Sequence, residues 1–381
     1  MPRQRGFGRN DCPGRPFLSR DARRQIVADP GVKRQPSVAS DGSARLVARQ
    51  RRNSGRIAHF GVLTITQSFG YMQDLMTNNG APPPLRSPGG PNTALDDAAL
   101  FPAHVERIAT RDGRRILATR WGRPRPTLSP IVLLHPLAAD HRFWMPVAER
   151  LAGMGEGLAI DCRGHGGSDK PPGPYTVELF AEDLAAVLDH VGWPAAAVVG
   201  TSMGGCVALA FADAYPERVA ALGLIDTTAW YGEDAPKVWA ERADRALVSG
   251  FQDLVAFQQR RWFTDAFRAA HPEIVARTVA TFLGNDVAAY AESCRMLGAC
   301  DLRAALAGIK APTKIIVGRE DYATPVAMAE ALHRGIAASR LVLIEEGRHL
   351  TPVEQPERVA VELASFIWSA DRSTTAFEAA P

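Results

Sequence analysis

No stretch of this 381-residue chain approaches the roughly 18 consecutive apolar residues that a membrane-spanning helix needs, so no such helix is expected. Cysteine is scarce. The five, Cys12, Cys162, Cys206, Cys294 and Cys300, are odd in number and lack metal-ligand spacing. That argues against a disulfide framework and against a zinc site, and makes a reduced cytoplasmic setting the expectation. Net charge is slight at +3, too little by itself to imply a nucleic-acid partner. No internal repeat is visible. What is present, 46% hydrophobic and 22% charged residues, is the profile of a soluble globular protein with a sizeable core.

The small net charge hides a strong asymmetry. Residues 1–95 hold 15 Lys and Arg against 5 Asp, a balance of +10, so the rest of the chain stands at −7. This leader has no sustained period of 3.6 or 2. Runs such as Ala81-Pro-Pro-Pro84 and Gly89-Gly-Pro91 read as linker. A segment so poor in buriable surface cannot offset its ordering entropy, and is expected to be a disordered tail or upstream sequence, with Met72 and Met76 as alternative starts. Arg51-Arg52 before Ile57–Met72 lies too far from the N-terminus for an ordinary export signal. A nucleic-acid arm is disfavoured because no aromatic residues interleave the charge.

From Ala94 the texture changes. Val105–Arg111 and Arg114–Trp121 flank Asp112-Gly113, the signature of a hairpin on a two-residue turn. Short apolar runs then alternate with helical patterns. The runs are Ile131–Leu134, Leu158–Ile160, Ala196–Val199, Ala221–Ile225, Lys314–Val317 and Leu341–Ile344; helices are predicted near 142–153, 175–191, 203–214, 326–337 and 356–369. Alternation of this kind predicts an α/β fold, a mostly parallel sheet with helices on both faces. Residues 230–308 break it with helical patterns alone, such as Ala235–Val248 and Pro272–Phe282, so an inserted helical cap is expected there. The expected organisation is leader 1–95, core 96–229, cap 230–308, core 309–370 and a disordered tail 371–381.

The most informative stretch is Ala195-Ala-Ala-Val-Val-Gly-Thr-Ser202-Met-Gly-Gly205. A strand runs into Gly-x-Ser-x-Gly and a helix follows, the context of a nucleophile elbow. Small residues must flank a nucleophile held on a strained turn, and the helix N-terminus adds partial positive charge where an oxyanion forms. A serine hydroxyl needs an adjacent base, and the base a third group to orient it. His349 follows the strand Leu341–Ile344, and Asp321 follows Lys314–Val317. Both therefore emerge at the sheet edge that carries Ser202, where open α/β sheets place their sites. Glu320 and Asp226 are rival acids, with a structural role the expectation for Asp226. The amide of Met203 is one expected oxyanion donor. The second is expected from the loop His135-Pro136-Leu137; Pro136 has no N–H, which leaves Leu137. His135 is expected to shape that loop.

Together these residues resemble the α/β-hydrolase superfamily over about Val105–Ala370. Within it the chain looks most like the 3-oxoadipate enol-lactonases. The matching stretches are Asp161-Cys-Arg-Gly-His-Gly-Gly-Ser168, Gly200–Gly205, Tyr215–Val219, Asp226–Gly232, Arg261-Trp-Phe-Thr264, Asp301-Leu-Arg303, Gly318–Pro325 and His349–Pro356. Two departures stand out: Pro136, where such enzymes usually have a small or polar residue, and the basic leader. The resemblance implies an α/β-hydrolase fold with a helical cap, a triad of Ser202, Asp321 and His349, and no cofactor or metal. It implies hydrolysis of a carboxymethyl enol-lactone to 3-oxoadipate, an intermediate of aromatic-acid breakdown. A substrate carboxylate wants a cation, and Arg261 and Arg295 are the cap's candidates. Trp144 and Trp230 are candidate pocket walls, though core packing explains either.

A triad does not set substrate. A carboxylesterase, a C–C bond hydrolase and a cofactor-free perhydrolase use the same scaffold, and an acyltransferase or a non-catalytic ligand-binding protein are the rival classes. The partner expected is a small lactone or ester, with no nucleic acid and no membrane; the oligomeric state is open.

Overall fold

The computed structural model describes residues 104–378. The basic leader and its linker lie outside them. Eight strands form one sheet in the order β1-β2-β4-β3-β5-β6-β7-β8: β1 His104–Ala109, β2 Arg115–Gly122, β3 Ile131–Leu134, β4 Glu156–Ile160, β5 Ala196–Thr201, β6 Val219–Ile225, β7 Thr313–Gly318 and β8 Ser339–Ile344. Only β2 runs against its neighbours, β1 and β4; the other pairings are parallel. Strands β3, β5 and β7 are buried along their whole length, which is why each contains a short apolar run, Ile131–Leu134, Ala196–Val199 and Ile315–Val317.

The hairpin β1–β2 forms as read, but its loop is longer than two residues. Thr110 and Arg114 close it through their backbones, and the Thr110 hydroxyl donates to Asp112. Asp112 in turn receives Arg163 at 2.7 Å, a pairing with a distant loop that local turn chemistry does not announce.

Helices α1 Met145–Leu151, α2 Val177–Val191 and α3 Met203–Ala214 follow β3, β4 and β5. Helix α2 packs on α3. Five helices stand between β6 and β7: α4 Ala235–Ser249, α5 Gln252–Trp262, α6 Asp265–Ala270, α7 Pro272–Leu283 and α8 Val287–Ala299. Helix α9, Val326–Gly335, connects β7 to β8, and α10, Thr351–Glu354, and α11, Pro356–Glu378, close the fold. Helix α11 packs on α1 and continues past the expected 356–369; Asp371, in the added part, accepts the Ser129 amide at 3.0 Å and its hydroxyl at 2.6 Å.

After β4 the chain crosses to the other side of β3 and lays down β5. The strand order reverses there, and the carboxyl ends of β3 and β5 flank the reversal. Crevices at such a switch point are where open α/β sheets bind ligands.

Candidate active site

Ser202 stands between the last residue of β5 and the first of α3. Its backbone is left-handed, φ 53° and ψ −115°, a conformation that non-glycine residues reach only under strain. The two flanking glycines make the turn possible. A Cβ on Gly200 would lie 2.1 Å from the Gly204 carbonyl oxygen, and one on Gly204 would lie 2.2 Å from that of Leu134. Neither neighbour can yield, because both are backbone. The start of α3 is thereby seated against the end of β3.

The loops after β7 and β8 deliver the partners. Ser202 Oγ–H donates to His349 Nε2 at 3.0 Å, and His349 Nδ1–H donates to Asp321 Oδ2 at 2.8 Å. All three side chains are buried. The partners set the histidine tautomer, with the proton on Nδ1 and the lone pair toward the serine. Asp321 is itself clamped. Its Oδ1 accepts the amides of Ala323 at 2.7 Å and Thr324 at 3.0 Å, and its Oδ2 accepts the Thr324 hydroxyl at 2.8 Å. Burial alone would raise this carboxyl. The His349 charge and hydrogen bond, with the donors of Thr324, outweigh it and hold Asp321 below the usual carboxylate range.

The rival acids lie elsewhere. Glu320 receives Arg348 at 3.0 Å; its carboxylate is nearly half exposed, while the Arg348 side chain is mostly buried. Asp226 is fully buried and accepts the amides of Gly318 and Thr351 and the Thr351 hydroxyl, so it joins the loops after β6, β7 and β8. Burial, then the nearby Asp321, raise its carboxyl well above the ordinary range.

Leu137 lies in the loop leaving β3, and register pairs Leu134 with Gly200. The segments His135–Leu137 and Thr201–Met203 therefore leave adjacent strands side by side. Among the described residues, neither the Met203 amide nor the Leu137 amide donates a hydrogen bond. His135 is fully buried; its Nδ1–H donates to the Pro136 carbonyl at 2.8 Å and its Nε2 accepts the Cys162 amide at 2.9 Å. It shapes the loop.

The helical insertion reaches these loops. The Leu350 amide donates to Trp262 O at 3.1 Å, and Glu354 accepts the amides of Thr264 at 2.7 Å and Arg348 at 2.6 Å. The segment Arg261-Trp-Phe-Thr264 thus braces the loop that carries His349. Arg261 is half-buried beside the Phe257 ring, with no ion pair among the described residues. Burial, then the Arg242 guanidinium, bring it down to about 10, while Tyr231 and Asp321 act the other way. Arg295 is not with it: its guanidinium faces Asp244 at 3.1 Å and Glu292 at 2.6 Å on the exposed side of the insertion. The i,i+3 spacing of Glu292 and Arg295 is a surface-pair signal that explains this.

Trp144 is wholly buried, edge-on to Phe143. Trp230 pairs with Asp301 and lies 3.7 Å under the Arg303 guanidinium. Both serve packing in this arrangement. Two further side chains, Thr324 and Arg242, take part in these contacts. Thr324 could have been found, as a hydroxyl three residues after an Asp. Arg242, which donates to Tyr290 OH at 2.7 Å over the Trp239 ring, carries no sequence signal that separates it from a solvated helix arginine. Asp140, His141 and Asp161 have the residue types of a metal site, but Arg142 occupies Asp140, and His141 with the Gly167 amide occupies Asp161.

Comparison with known proteins bears on this geometry. Residues 129–356 match the family model described as alpha/beta hydrolase fold. The chain is 30% identical over 276 residues to 3-oxoadipate enol-lactonase 1 of Acinetobacter baylyi, spanning 70% of this chain and 98% of that one. It superposes with TM-score 0.66 on the enol-lactonase from Burkholderia xenovorans at 30% identity, covering 69% of this chain and 99% of that one. A thermophilic esterase from Thermogutta terrifontis gives the same TM-score at 29% identity, covering 71% and 100%. The elbow, the two loops that meet it and the family match agree, and the chain belongs to the alpha/beta hydrolase fold family.

Proposed function

We propose that the protein is a serine hydrolase that opens a small carboxylate-bearing lactone, with 3-oxoadipate enol-lactone the foremost candidate. The observation that carries the reading is the relay from Ser202 Oγ through His349 to Asp321, at 3.0 and 2.8 Å. His349 Nε2 takes the proton as Ser202 Oγ attacks the lactone carbonyl carbon. The tetrahedral oxyanion is held by the amides of Met203 and Leu137. The ring C–O bond breaks, His349 returns its proton to the departing enol oxygen, and the enol ketonises. His349 next deprotonates a water that attacks the acyl carbon, which releases the acid and restores Ser202. Arg261 is the proposed partner of the substrate carboxylate, since it is a half-buried cation beside the Phe257 ring with no acid paired to it among the described residues.

The relatedness of enol-lactonases supports the lactone substrate. A carboxylesterase is the second reading, favoured by the equal likeness to the thermophilic esterase. Initial rates for 3-oxoadipate enol-lactone, p-nitrophenyl esters and a vinylogous diketone separate them. The lactone is expected to have the highest kcat/KM. A simple ester turned over as fast would remove the lactone assignment and leave the esterase.

A further inference from the structure

The loop after β3 holds an unusual residue. Ala138 has φ 60°, in the left-handed region that costs an L-residue roughly 1–2 kcal/mol. The Ala139 amide donates to Pro136 O at 3.1 Å, so residues 136–139 form a tight turn with Leu137 and Ala138 at its centre. A positive φ at the second central position normally calls for glycine. Something outside the turn must therefore hold it.

From the core side, His135 does so through its bond to Pro136 O. From the insertion, Asn285 does. Its Nδ2 donates to Ala138 O at 3.0 Å, and also to Thr281 O at 2.9 Å and Phe282 O at 3.2 Å, the last carbonyls of α7. All three acceptors are carbonyl oxygens, so the amide has one possible orientation. No other donor to Ala138 O is present among the described residues. Asn285 itself is rigidly seated. It lies between Gly284, which closes α7, and Asp286, whose carboxylate caps α8 by accepting the Ala289 amide at 2.8 Å.

We propose that Asn285 is a positioning residue for the oxyanion site: by gripping the Ala138 carbonyl it locks the strained turn that presents the Leu137 amide. This rests on the proposed role of Leu137 in the hydrolytic reaction. It makes the helical insertion part of the catalytic step as well as of the binding surface. Without Asn285 the turn relaxes toward the ordinary negative φ at Ala138, and the amide of Leu137 no longer points at a fixed place.

The test compares Asn285→Ala and Asn285→Ser with wild type, each also in an Ala138→Gly background. Serine keeps one donor for the end of α7 but is too short to reach Ala138, so it guards against a folding failure of the alanine variant. Both single variants are expected to lower kcat about 10- to 100-fold on p-nitrophenyl acetate, with KM within about threefold, as suits a displaced oxyanion donor. Affinity for an aryl boronic acid, whose adduct places an oxygen at the oxyanion position, falls in step with kcat. Glycine adopts the turn without strain, so in the Ala138→Gly background the same substitutions cost less than a third as much. A fall under tenfold, a loss confined to KM, or an equal loss in the glycine background would overturn the proposal. Failure of the hydrolytic reading looks different: Ser202→Ala would then retain turnover.

Discussion

Replacing Asp321 by Asn tests the orientation of the histidine more sharply than removing any residue. Oδ1 accepts two backbone amides, those of Ala323 and Thr324, so an NH2 group placed there would leave two buried donors unpaired, at about 1–3 kcal/mol each. The asparagine therefore turns its NH2 to the Oδ2 position, toward the Thr324 hydroxyl and His349 Nδ1. The hydroxyl can rotate and accept. The imidazole can accept only by moving its proton to Nε2, and Nε2–H cannot take the Ser202 proton. Folding is thus nearly preserved while the base is lost. A wrong tautomer costs about 10⁴-fold in kcat in triads of this kind, or about 5 kcal/mol of barrier. Glu320→Gln is the control: it weakens a pair whose carboxylate is nearly half exposed and leaves Arg348 its bonds to the Arg260 and Phe263 carbonyls, so it is expected to leave kcat within about threefold. Steady-state kinetics on p-nitrophenyl acetate, with circular dichroism to check the fold, measure both. Asp321→Asn within tenfold of wild type, or Glu320→Gln the more damaging, would refute the assignment of the acid.

Ser202→Ala and His349→Ala are each expected to lower kcat by about 10⁶-fold, and the double variant to be little worse; additive losses would show that they do not act as a unit. Arg261→Met is expected to cut kcat/KM about 10- to 100-fold for carboxylate-bearing substrates while sparing neutral esters, and equal losses on both would discard the anion role. Gly204→Ala places a methyl 2.2 Å from a backbone oxygen and is expected to cost about 3 kcal/mol or more in urea unfolding; a smaller loss would show that the elbow can relax. His165 is buried, its Nε2 has no partner among the described residues, and burial lowers its pKa to about 3. Its unfolded form takes up a proton near pH 6.5 and its folded form does not, so stability falls as pH drops from there toward 3. His165→Asn should flatten that slope by about 1.4 kcal/mol per pH unit, read from unfolding midpoints at pH 6.0 and 5.0.

The central strands were legible because parallel pairing buries both faces of β3, β5 and β7, which leaves short apolar runs without polar alternation in the chain. The elbow was legible because close backbone approach tolerates only glycine at 200 and 204. Asp321 and His349 could be named because each follows a strand whose carboxyl end lies on one edge. Longer-range contacts left no such trace. The grip of Asp112 by Arg163, the bond of Ser129 to Asp371 and the hold of Asn285 on Ala138 join residues 51, 242 and 147 positions apart. Nothing local distinguishes those side chains from solvated ones. Arg295 carried a local sign of its fate in Glu292 three residues earlier, whereas its second partner, Asp244, and the half-buried setting of Arg261 are set by the fold alone.

The most direct measurement is covalent labelling of the folded protein by a fluorophosphonate, followed by mass spectrometry of the modified peptide. One equivalent is expected on Ser202, with the rate lowered at least a thousandfold in His349→Ala, because the oxygen is nucleophilic only when the imidazole can take its proton. Folded wild type that stays unlabelled, or a histidine variant labelled as fast as wild type, would contradict the account.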